Sequence, residues 1–258
     1  MKALMGHPLD AAFGADTLRG ADPRIVVTNI SQEITVKASY GENSGRDGRR
    51  KHRVRREVIR VTVAFKIWEF ESVPDREAAV EAANAWARDG WLKITSKPGR
   101  RLMVQCAGRA ATRNPRDYKE EYQLIFETAQ SPFWEDEAPA VYTLSGTSDT
   151  QEIRVPGTYE SVFDVSVAHA SGTLNALTLS VGDTAMSFSG LAIAAGVPLT
   201  LSHDDAGRLM ILAGSATKYA CRSAASDDEL VGGPGAITAA VTADVSCTVT
   251  LSVRGRYR

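Results

Sequence analysis

The sequence predicts a mainly β protein of two units, with one α-helix in the first and an antiparallel β-sandwich in the second. Three observations carry this. The run VRREVIRVTVAFKIWEF at 54–70 alternates with a two-residue period. Ile59, Val61, Val63, Phe65 and Ile67 fall on one face, and Arg56, Arg60, Thr62 and Lys66 on the other. The stretch PDREAAVEAANAWARD at 74–89 is the one convincing helix, with Val80, Ala83, Trp86 and Ala87 in a narrow apolar stripe. After about residue 140 the chain turns into short runs rich in Val, Thr, Leu and Ser, separated at regular spacing by Gly, Asp and Pro, the pattern of a sandwich.

Taken in order, residues 1–24 are rich in Ala, Gly and Asp and read as an arm that is mobile or ordered by a partner. RIVVTNI (24–30) and QEITVKASY (32–40) read as strands, and GENSGRDGRRKHR (41–53) as a loop. The long strand 54–70 follows, then the helix. Pro74 and Asp75 suit the helix's first turn, and Gly90 suits a left-handed C-terminal cap. WLKITSK, RRLMVQCAGRAA, DYKEEYQLIFET and SPFWED complete the first unit, and Pro132 and Pro139 bracket its end. The domains are therefore the arm 1–24, a first domain 25–138 and a second domain 139–258. VYTLSG, QEIRVPG, SVFDVSVAHA, TLNALTLSVG, TAMSFSG, VPLTLSH, GRLMILAG and the terminal run from Ile237 supply the strands of the second.

Composition excludes several classes. Formal net charge is −1 over 258 residues, so no global field draws the chain to nucleic acid or membrane. From Gly146 onward there are 7 basic and 11 acidic residues, against 23 and 20 before it, which suggests two units with different surfaces. No run of apolar residues is long enough to span a bilayer. The opening MKALMGHPLDAAFGADTLRG has no continuous apolar core, so it does not read as a secretory signal. Cys106, Cys221 and Cys247 are far apart and odd in number, and read as free buried thiols made in a reducing compartment.

No catalytic, cofactor or metal site is predicted. His7, His52, His169 and His203 are scattered, and none has a partner at metal-ligand spacing. SHDDAG at 202–207 lacks the alternating oxygen ligands of a calcium loop and reads as a hairpin turn. GGPG at 232–235 precedes a strand, so it is a turn and not a phosphate cradle. Nucleophile-elbow, Walker and dinucleotide motifs are all missing.

What remains is a candidate subunit or partner interface: Arg46, Arg49, Arg50, Lys51, Arg53, Arg56, Arg60, Lys66 and Trp68. The basic run that supplies most of them has three readings. It binds an acidic protein surface, it is a solvated hairpin tip that blocks edge-to-edge aggregation, or it binds nucleic acid. The third is weakened because no aromatic residue interleaves the charges. Trp68 shares parity with Arg60 and Lys66; it either faces a neighbour or caps the edge of the sheet.

The order of elements RREVIRVTVAFKIW, PDREAAVEAANAWARDGWLKITS, RRLMVQCAGRAA and DYKEEYQLIFETAQSPFWED resembles the distal tail protein family of siphophages. The segment SAASDDELVGGPGAITAAVTADVSCTVTLSVRGRY at 223–257 is similar to that family's ending, a loop with L-x-x-G before a closing strand. The likeness spans roughly residues 25–257; the long basic loop and the arm depart from it. It implies a split β-barrel with one α-helix followed by a galectin-like antiparallel β-sandwich. It further implies a homo-oligomeric, hexameric ring at the tail tip. One side of that ring would continue the tail tube, and the other would seat tail hub or fibre proteins. The implied location is the virion tail, after synthesis in the host cytoplasm. The competing classes are a carbohydrate-binding sandwich module and an enzyme of unrecognised type. The second half has no Trp and few aromatics to build a sugar platform.

Overall fold

The computed structural model describes residues 9–42, 49–111, 120–129, 131–204 and 208–257, with backbone alone over 36–42 and 49–57. The protein is mainly β and built from two antiparallel sheets, one of them curled into a half-barrel. Contacts divide the chain into two compact units, Met1–Trp134 and Glu135–Arg258.

In the first unit the strands β1 (Ala11–Phe13), β2 (Asp16–Thr17), β3 (Ile25–Glu42), β4 (Arg49–Ile67), β5 (Gly90–Ile94), β6 (Arg100–Gly108) and β7 (Tyr122–Thr128) form a sheet in the order β2-β1-β5-β6-β7-β4-β3. The alternation of β4 sets its buried face: Ile59, Val61, Val63 and Phe65 are fully buried, and Ile67 nearly so. Helix α1 (Leu18–Ala21) is one turn, and α2 (Val73–Trp86) lies on the core side of the sheet through Ala79, Val80, Ala83 and Trp86. Ser72 caps α2, its hydroxyl accepting the Asp75 N–H at 3.3 Å.

Four expectations are corrected here. The segment taken as an arm supplies β1 and β2 to the sheet and then the turn of α1. β1 pairs with β5, and Phe13 and Leu18 are buried, because two large apolar side chains among small residues suffice to anchor a short strand and turn. The two strands expected on either side of Ser31 are one, β3, whose register shifts between Val27 and Asn29 and between Thr35 and Val36 absorb the irregularity. The loop expected over 41–53 is strand at 41–42 and at 49–53; residues 43–48 lie outside the described residues. Helix α2 ends at Trp86, with Ala87 as its cap, and Gly90 opens β5 with φ +141° in place of capping the helix.

The second unit is an antiparallel sandwich. Its strands are β9 (Ala140–Val155), β10 (Ser161–Ala168), β11 (Thr173–Val181), β12 (Thr184–Ala194), β13 (Leu199–His203), β14 (Leu209–Ala213), β15 (Ala216–Thr217), β16 (Val231–Gly232) and β17 (Gly235–Val253), after β8 (Trp134–Asp136) at the division between units. The long strands β9 and β17 pair along almost their whole length. A register shift between Thr242 and Cys247 breaks that ladder. Before the break β17 pairs with β11, and after it with β10, so one strand serves both parts of the sheet. The core includes Leu144, Phe163, Val167, Leu177, Phe188 and Leu251. One 3-10 turn, Tyr219–Cys221, is the helical element of this unit among the described residues. SHDDAG lies at a hairpin, since His203 pairs with Leu209. Of the thiols only Cys247 is buried; Cys106, in β6, and Cys221, in a 3-10 turn, are partly exposed.

Candidate assembly interface

β4 carries most of the predicted interface residues, and its two ends differ. Only Arg60–Phe65 pairs with β7. Beyond Ile59 toward Arg49 the strand has β3 as its sole strand partner among the described residues. A two-stranded ribbon therefore runs out past the sheet. Arg49, Arg50, Lys51, Arg53 and Arg56 stand on this ribbon, whereas Arg46 lies outside the described residues.

Arg60 is committed within the sheet. Its Nε and Nη2 donate to Glu127 Oε1 at 2.9 and 2.6 Å, across the β4–β7 pair, and Glu33 faces it from β3. The hydrogen bond and charge of Glu127 raise the guanidinium above its ordinary pKa. Lys66 is half-buried, opposite Val26. Trp68, just past the end of β4, is 60 % exposed, the largest exposure of any large apolar residue described. The structure thus separates the predicted set into a basic ribbon, an internal ion pair and an exposed tryptophan.

The sequence reading missed what surrounds Trp68. Glu69 follows with a left-handed φ of +57°, and Val73 at the start of α2 is 40 % exposed. Glu69, Glu71, Glu77 and Glu81 are all exposed. Arg76, the only base from 68 to 81, is 1 % exposed, with its guanidinium over the Phe70 ring at 5.4 Å. The bordering Arg24 is engaged by Asp22 at 2.6 Å. An i, i+4 reading of Glu77 and Glu81 would have found an acidic helix face, but the burial of Arg76 is not readable from spacing.

No family model matches the chain, and no curated protein matches it. Among solved structures the chain is similar to SPP1 Dit (gp 19.1), described as a paradigm of the hub adsorption apparatus in phages that infect Gram-positive bacteria. The TM-score is 0.71 at 12 % identity, over 95 % of this chain and 98 % of that one. The phage P2 baseplate in its activated conformation also matches, with a TM-score of 0.46 at 7 % identity. The fold of this chain is that of SPP1 Dit.

Proposed function

We propose that this chain is a structural adaptor of the distal tail protein type, residing at the tip of a phage tail. The observation that carries the reading is the likeness to SPP1 Dit over nearly the full length of both chains, spanning both units. In this reading, copies of the first unit join into a hexameric ring between the tail tube and the tail hub or fibre proteins, and the second unit decorates that ring. In this reading the chain acts as a structural part and carries no catalytic role. The basic ribbon and Trp68 belong to contacts between copies or with tail neighbours. The same observation disfavours a carbohydrate-binding module, as does Tyr219, the most exposed aromatic described in the second unit, whose hydroxyl is already donated to the Leu209 carbonyl at 2.6 Å.

Light scattering of the purified chain after size exclusion tests the ring. The expected particle is about six times the 27.7 kDa protomer mass. A chain that stays monomeric at every concentration reached, and in the presence of tail-tube protein, would overturn the reading.

A further inference from the structure

We infer that the acidic corner around Trp68 is the docking site for the basic ribbon of a second copy of this chain; this rests on the ring reading above. The two surfaces are complementary. From Arg49 to Arg56 the ribbon strand carries six Lys or Arg residues and no acid. Along residues 68–81, Glu69, Glu71, Glu77 and Glu81 are exposed, and the one base of that stretch, Arg76, is buried. Trp68 and Val73, five residues apart in the same stretch of chain, are exposed apolar side chains. An exposed aromatic ring among carboxylates is suited to receive arginine, which pairs with the acids and stacks on the ring.

The occupant must come from another molecule. Ribbon and corner lie at opposite ends of one strand, β4. At roughly 3.3 Å per residue, Arg50 stands on the order of 55 Å from Trp68, so a ribbon cannot reach its own corner. A contact joining two different surfaces of identical copies is head-to-tail, and such contacts close into rings when the rotation allows. Ribbon backbone without a strand partner also needs covering, and docking on a neighbour covers it.

The test uses two charge-reversed full-length chains. One carries Glu71→Lys with Glu77→Lys, which cancels the corner's negative charge and places two lysines in it. The other carries Arg50→Glu with Arg53→Glu, which reduces the ribbon's positive charge and sets acids toward the acidic corner. Circular dichroism first establishes that each is folded. Each alone should assemble at least tenfold more weakly than wild type, measured by light scattering across a dilution series. Mixed in equal amounts, they should recover assembly, because the basic ribbon of the first meets the acidic corner of the second, and the two acids placed in the ribbon of the second meet the two lysines placed in the corner of the first. Full assembly by each variant alone would overturn this inference and leave the ring reading standing. Loss in both variants without recovery on mixing would also overturn it. Failure of the wild-type chain to assemble would instead remove the ring reading itself.

Discussion

Asp244 shows how a single carboxylate holds an irregular strand. At the register shift of β11 between Leu174 and Ala176, the Asn175 N–H donates to both Asp244 oxygens, at 3.2 and 3.1 Å. Burial alone would raise the Asp244 pKa, but the backbone N–H groups of Ala176 and Asn175 stabilise the anion more, and the net shift is downward. A carboxyl whose folded pKa is lowered contributes stability that is full above its unfolded value and is lost as pH falls through the folded one. The second unit should therefore lose stability below the ordinary carboxylate range, and Asp244→Asn should flatten that part of the profile. Unfolding curves of both proteins across acid pH check this; parallel profiles would rule it out. Gly157 is a second residue on which the sandwich depends. Its φ is +105°, and an added Cβ would lie 2.6 Å from the Arg256 carbonyl oxygen, which is backbone and cannot swing aside. Gly157→Ala should cost about 1–3 kcal/mol, read from denaturant unfolding.

At the scale of elements, the N-terminal strand, the helix and the sheet meet in one aromatic cluster. Phe13 of β1 lies 5.0 Å from Trp86 of α2 and 5.7 Å from Phe126 of β7, ring centre to ring centre. The Trp86 indole also donates to the Asp16 carbonyl at 2.9 Å, which ties the helix to the residues just after β1. Phe13→Ala should destabilise the first unit by about 3–5 kcal/mol, as a buried aromatic truncation does. All four tryptophans lie at or before Trp134, so tryptophan fluorescence, excited selectively over tyrosine, reports that unit. An unchanged fluorescence midpoint would return the segment to the status of a free arm. Much of this unit was legible in the sequence. The alternation of β4 is strong because one face is wholly apolar, and the stripe of α2 is legible for the same reason. The Phe13 anchor was hidden because one aromatic among Ala and Gly makes no periodic pattern, and its worth depends on partners some 70 and 110 residues away. The Arg60–Glu127 pair was hidden likewise, since cross-strand register is a tertiary fact. That pair also makes Arg60→Glu a poor probe of assembly, because the new acid would face Glu127 and Glu33 within its own sheet.

At the scale of the molecule, the second unit carries its own core, and this leads to a prediction about independence. The buried residues from Leu144 to Val253 form one cluster whose members all belong to Glu135–Arg258. The closing turn is satisfied from within as well: the Asp136 N–H donates to the Gly255 carbonyl at 3.0 Å, and the Tyr257 hydroxyl to Asp136 at 3.1 Å. A unit of this size, with a filled core and a paired end, has what autonomous folding requires. The fragment Glu135–Arg258 should therefore fold cooperatively and remain monomeric, because the basic ribbon and the Trp68 corner are both outside it. Assembly of the full chain should weaken at high salt, since exposed charges are screened beyond about 10 Å at roughly 0.1 M, whereas the fragment's mass should not change with salt. Circular dichroism melting and light scattering of the fragment at low and high salt check both points. A fragment that is unfolded would mean that its core needs the first unit, and a fragment that forms a ring by itself would move the assembly surface out of the first unit.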